Sequence, residues 1–170
     1  WYRDNNTFLD KWDFEKDIAE DSFTLFAKFW QFRVDFDNGY DKASTPVPKY
    51  VLVENNTKIS APDTTAKGHQ VEGWYNDKTL WNFDNPVTKD LLLTAKWEYT
   101  VTYMKNGGSG EMEDSTFDVN VSNTLTENAF TRKGYTFDNW STTIDGSGQR
   151  FADKAVVEDI TAVEDLVYIP

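Results

Sequence analysis

Internal repetition constrains the fold of this chain more than any other feature of its sequence. Gly68-His69-Gln70-Val71-Glu72-Gly73-Trp74 lies over Gly134-Tyr135-Thr136-Phe137-Asp138-Asn139-Trp140, an offset of 134 − 68 = 66. The offset continues upstream without a gap, pairing Lys67 with Lys133, Ile59 with Leu125, Val53 with Val119 and Val51 with Phe117. A further copy opens the chain. Trp1-Tyr2 matches Trp74-Tyr75, Trp12-Asp13-Phe14 matches Trp81-Asn82-Phe83, and Leu25-Phe26-Ala27-Lys28-Phe29 matches Leu93-Thr94-Ala95-Lys96-Trp97. In the last copy Phe151 takes the place of Trp12, and Val167-Tyr168-Ile169 closes the unit.

This places the C-terminal half of a repeat at 1–30, a complete repeat at 31–98 and a second complete repeat, without its closing aromatic, at 99–170. A period of roughly 70 residues is too long for a solenoid rung and suits small modules strung like beads. Each module is near the lower size limit for independent folding and depends on its aromatic residues for a core.

Within a module the apolar residues alternate as they do in half-buried strands. Phe32-Arg33-Val34-Asp35-Phe36 and Tyr99-Thr100-Val101-Thr102-Tyr103 are such runs, and each is followed by an Asn-Gly break. Tyr50–Val53, with a turn at Glu54-Asn55-Asn56, reads as a second strand, and Gly68–Trp74 as a short extended piece. Asp84-Asn85-Pro86 reads as a helix start or a turn, and Leu91–Ala95 as the closing strand. The expected class is mainly β or α+β, with one short helix or turn per module.

Taken together, the alternating opening strand, the Gly-Tyr-x-Phe-x-x-Trp segment (Gly134–Trp140), the Trp-x-Phe segment (Trp81–Phe83) and the closing Leu-x-Ala-Lys-Trp (Leu93–Trp97) resemble the Listeria–Bacteroides repeat, or internalin B-repeat. The resemblance covers the whole chain. It implies tandem β-grasp-like modules outside a bacterial cell, lying between a recognition domain and a cell-wall anchor, in a non-catalytic stalk of an adhesin-like protein. Three positions depart from the pattern: His69 stands for Tyr, Asn139 for the Gly before Trp, and Pro170 where a Lys would precede the closing aromatic.

Composition narrows the function. The net charge is −12 and the chain has no cysteine. An acidic surface repels phosphate backbones and anionic headgroups, which argues against nucleic acid as a partner. Disulfides, zinc–cysteine sites and cysteine nucleophiles are excluded. No apolar run approaches the roughly 18 residues that would cross a bilayer, which argues against membrane insertion. The start at Trp1-Tyr2 without Met reads as a fragment of something longer.

No catalytic, cofactor-binding or metal-ligating residue stands out. Trp1, Trp74 and Trp140 recur at one repeat position and read as core anchors rather than sugar platforms, while Tyr2 and Tyr75 are better placed for exposure. His69, the only histidine, lacks companions for a triad or a metal site and reads as a partly exposed packing residue. Asp145-Gly146-Ser147-Gly148 reads as a tight turn, without the spaced ligands of a calcium loop. Glu158-Asp159 and Glu164-Asp165 read as a solvated acidic face. The Asn-x-Ser/Thr triplets at Asn5-Asn6-Thr7, Asn55-Asn56-Thr57, Asn120-Val121-Ser122 and Asn139-Trp140-Ser141 read as accidental. No cofactor is implied. A host-surface protein or glycan is the conceivable partner. Segment 1–30 lacks the opening strands its aromatics would pack on, so Phe8, Trp12, Phe14 and Phe26 are expected to be buried against an adjacent module or a second chain, and self-association is expected there.

Overall fold

The computed structural model describes residues 1–3, 9–18, 22–27 and 30–160, together with the backbone of 165–169. The ordered elements are strands: β1 (Gln31–Asp37), β2 (Tyr50–Glu54), β3 (Gln70–Asn76), β4 (Thr79–Leu80), β5 (Leu91–Met104), β6 (Ser115–Asp118), β7 (Asn123–Thr124), β8 (Asn139–Ser141), β9 (Arg150–Phe151), β10 (Val156–Val157) and β11 (Asp165–Ile169). The fold is mainly β, and among the described residues there is no helix. Asp84–Pro86 is therefore a turn. The Asn82 side chain accepts from the Asp84 N–H at 2.8 Å, and the Asn85 N–H reaches the Asn82 carbonyl at 2.9 Å. An Asx turn of this kind satisfies locally the backbone groups that a helix would have paired.

β1 forms an antiparallel pair with β2 and a parallel pair with the first part of β5. β3 runs antiparallel to β5 and carries β4 on its other edge. The set recurs downstream. The second half of β5 takes the role of β1, pairing antiparallel with β6 and parallel with β11. β8 then lies against β11, with β9 outside it. Asn38-Gly39 and Asn106-Gly107 end the two opening strands, with φ of 63° at Gly39 and 78° at Gly107. A Cβ on Gly39 would run into the Ala95 carbonyl, so this position requires glycine for both conformation and space.

The picture of separate beads does not hold. β5 is a single strand of 14 residues that crosses from one repeat to the next, and its burial alternates without a break from Leu91 to Met104. At a strand rise of about 3.3 Å per residue it spans on the order of 45 Å. Its inward residues Leu91, Leu93, Ala95, Trp97, Tyr99, Val101 and Tyr103 join the cores of both repeats into one apolar cluster.

Two details of the repeat alignment change. Val53 faces Phe32 and Phe117 faces Tyr99, so Val53 corresponds to Phe117 and Val51 to Ser115, not Phe117. The slip is two residues, which preserves the buried face, and a period-two pattern is blind to it. In the closing strand Phe36 faces Leu93 and Tyr103 faces Leu166. Leu166, not Val167, therefore corresponds to Leu93, and Ile169 stands at the register of Lys96. The run Leu166-Val167-Tyr168-Ile169 is apolar throughout and gives no alternation from which a phase could be read.

Candidate functional site

Trp74 and Trp140 occupy equivalent buried positions. Trp74 is 4% exposed and Trp140 fully buried. Trp74 meets Phe36 edge-on at 5.4 Å, and Trp140 meets Tyr103, the counterpart of Phe36, at 5.0 Å. Both are core anchors. Trp1 is not: it is 58% exposed, because segment 1–30 has no counterpart of Phe36 or Tyr103 to lie over it. Tyr2 and Tyr75 are half-buried. The Tyr75 hydroxyl donates to Glu72 at 2.6 Å, and Lys96 sits 4.0 Å from its ring centre.

Segment 1–30 is held by antiparallel bridges from Tyr2 to Lys11 and to Phe26. Trp12 is buried there, stacked on Phe23 at 4.5 Å, while Phe26 is half-buried and Phe14 is 69% exposed. Phe14 is thus not buried within the chain, where the edge of Trp12 lies 6.2 Å from its ring, and its expected cover would have to come from a second chain. Phe8 lies outside the described residues.

His69 and Asp159 sit where the two repeats meet. His69 is a packing residue of intermediate exposure, but its side chain is only 3% exposed, between the rings of Tyr40 at 5.1 Å and Tyr99 at 5.6 Å. Asp159 is not on a solvated face. Its side chain is 14% exposed and its carboxylate accepts from the Tyr40 hydroxyl at 2.8 Å, the Lys42 ammonium at 2.8 Å and His69 Nε2 at 3.0 Å. Burial alone would raise the Asp159 pKa, but the bonds from Lys42, Tyr40 and His69 outweigh it and hold the carboxyl below its ordinary range. Burial, then the bond to Asp159 and its charge, push the Tyr40 hydroxyl well above its ordinary value. The sequence gives no sign of this group, because its members lie 90 to 119 residues apart. Glu158 does remain exposed, accepting from the Ser122 hydroxyl at 3.2 Å. Glu164 lies outside the described residues, and only the backbone of Asp165 is described.

Asp145–Gly148 is a turn, with φ of 75° at Gly146. The Asp145 carboxylate accepts from the Ser147 hydroxyl at 2.7 Å, the Ser147 N–H at 3.0 Å and the Thr143 hydroxyl at 2.8 Å. All three bonds fall on Oδ1 and hold the loop closed on itself. Among the described residues no three His, Cys, Asp or Glu side chains are grouped to hold a metal ion.

The sheet also has an outer face. Tyr50, Asp35 and Leu92 form a row across β2, β1 and β5, beside the pair Leu52 and Arg33. Tyr50, Leu52 and Leu92 are about half exposed, and the Arg33 guanidinium lies 4.4 Å from the Tyr50 ring centre. The alternation of β1 could have revealed this row, since the residues between its core positions point to the opposite face.

The description "Listeria-Bacteroides repeat domain" is matched twice by this sequence, at residues 32–96 and 99–162. Two proteins of Evansella cellulosilytica are similar. One, named "Putative membrane protein", is 35% identical over 153 residues, covering 82% of this chain and 22% of that protein. The other, named "Putative Gly-rich membrane protein", is 37% identical over 118 residues, covering 64% of this chain and 13% of its own length. The chain therefore spans less than a quarter of either relative. No solved structure matches it significantly.

Proposed function

The chain belongs to the Listeria–Bacteroides repeat family, and on that premise we propose that it is a non-catalytic spacer in the stalk of a bacterial cell-surface, adhesin-like protein, lying outside the cell and attached to the wall through other parts of the full-length protein. The observation that carries this reading is β5, one unbroken strand shared by two repeats. A shared strand leaves no free chain at the junction to act as a hinge, which is what a stalk that projects a distal domain requires. Interiors filled with aromatic rings leave little room for a substrate cleft. Relatives named as membrane proteins, much longer than this chain, fit a surface location. We take the repeat boundaries at 30/31 and 98/99 and read the order β2-β1-β5-β3-β4, with its central parallel pair, as β-grasp-like. Small-angle scattering of the dilute chain should fit a single elongated particle. Scattering that demands a broad spread of angles between the repeats would refute the spacer reading.

A second reading has its own support in the row of Tyr50, Leu52 and Leu92 beside Arg33. An exposed aromatic and aliphatic strip flanked by a cation is the kind of surface that binds a host protein or a glycan. Retention on host-cell surfaces that Tyr50→Ser and Leu92→Ser together abolish would favour this reading, and no retention would leave the spacer alone. Self-association through segment 1–30 is a separate proposal, tested in the Discussion.

A further inference from the structure

We propose that Asp159 is a clamp that fixes the angle between the two repeats, a role specific to this junction and not a general property of the repeat. β5, the core packed on it and the bond from the Val119 N–H to the Trp97 carbonyl at 2.9 Å join the repeats along one line, and a sheet built on one strand can still twist and coil about that strand's axis. A second point of attachment away from that line would remove this freedom, and the carboxylate of Asp159 is placed to supply it. Asp159 follows β10 in the second repeat. Its three donors come from the first: Tyr40 and Lys42 from the loop after β1, and His69 from the turn before β3. Both carboxylate oxygens are engaged, Oδ2 by Tyr40 and Lys42 and Oδ1 by His69.

The chemistry favours one arrangement. His69 Nδ1 lies 2.7 Å from the Lys67 carbonyl oxygen, and Nε2 lies 3.0 Å from Asp159. The ring is shut between Tyr40 and Tyr99 and turns Nε2 to the Asp159 carboxylate. A buried polar group deprived of its partner is costly, so a junction that swings away from Asp159 strands His69 and the Tyr40 hydroxyl together. Lys42, half exposed, adds less, as surface pairs do.

The corresponding positions elsewhere carry none of this. His69 corresponds to Tyr135, which is 57% exposed. With the offset of 157 − 87 = 70 that relates Val87 to Val157, which occupy matching bridges, Asp159 corresponds to Lys89. The Asn-Gly breaks align Tyr40 with Gly108. The clamp holds whether the array spaces or binds.

The test exploits the absence of cysteine. Lys78→Cys and Ile144→Cys place spin labels on exposed turns, one in each repeat, and pulsed dipolar spectroscopy on the full chain reads the distance distribution. Asp159→Asn, which keeps the volume and removes the charge, is expected to broaden the distribution and shift its mean, and His69→Tyr to do the same. Lys42→Ala is expected to leave it nearly unchanged. Distributions unchanged in both Asp159→Asn and His69→Tyr would show that β5 alone sets the angle and would overturn the proposal, even if the melting temperature fell. Loss of folding in both variants would also overturn it, because the group would then belong to the folding core and not to a clamp.

Discussion

The backbone N–H of Trp81 donates to the carbonyl of Trp74 at 2.7 Å, and the same bond recurs between Trp12 and Trp1 at 3.0 Å. In the second repeat Phe151 faces Trp140 across β8 and β9. Three copies of the unit thus fold the chain back on itself at the same pair of aromatics, although the connections differ. In the first repeat the turn between β3 and β4 is only Asp77-Lys78, whereas in the second Thr142–Gln149 intervenes. The aromatic pair, not the turn, is what the repeats share.

Burial separates these copies in energy. Replacing the fully buried Trp140 by Ala removes a ring packed against Tyr103, Phe130 and Phe137 and should cost about 3–5 kcal/mol through lost contacts and the cavity left behind. Trp1, 58% exposed, should cost no more than about 0.5 kcal/mol as Ala. Urea unfolding of both variants checks the contrast. A Trp140→Ala midpoint equal to that of the unmodified chain would contradict a core role for this ring.

The period-two alternation of β1 and of the second half of β5 announced strands with one buried face, and the structure has them. The continuity of β5 was also present, since Leu91 to Met104 alternates through the boundary. The repeat boundary at Glu98 cuts across that run. Repeat boundaries follow similarity between copies, whereas a strand continues for as long as its hydrogen bonds and its buried face continue. The exposure of Phe14 and the burial of Asp159 were illegible for another reason: both depend on which distant residues come near, and no local pattern records that.

The turn at Asp145 should persist in acid. The Ser147 hydroxyl, then the Ser147 N–H and the Thr143 hydroxyl, bind the charged carboxylate and lower its pKa to about 2. A lowered carboxyl pKa means that the bonds are fully present above the ordinary carboxylate range and are lost as pH falls through about 2. Carboxyl carbon shifts followed by NMR should therefore give a midpoint for Asp145 near 2. A midpoint in the ordinary range near 4 would mean that the three bonds do not form in solution.

Segment 1–30 should make the chain associate at high concentration. Trp1, Leu9, Phe14, Ile18, Phe23 and Trp30 are all more than 40% exposed, a density of large apolar side chains that the two complete repeats do not approach. Among the described residues of the segment Trp12 is the buried aromatic, covered by Phe23 and by the Arg3 guanidinium 5.3 Å from its ring centre. The backbone of the segment is bridged at Tyr2, Lys11 and Phe26, which fixes a small frame for these exposed side chains. Apolar surface clustered in this way tends to be covered by a partner, and a second copy of the segment carries the same aromatics. Sedimentation velocity across a concentration series should show a rising mean mass for the intact chain. Phe14→Ser with Trp30→Ser should suppress the rise without lowering the stability of 31–160, whose core contains neither residue. A chain that stays monomeric throughout the series would exclude self-association, and a rise that survives both substitutions would move the contact elsewhere, with the outer row of Tyr50, Leu52 and Leu92 the next surface to test.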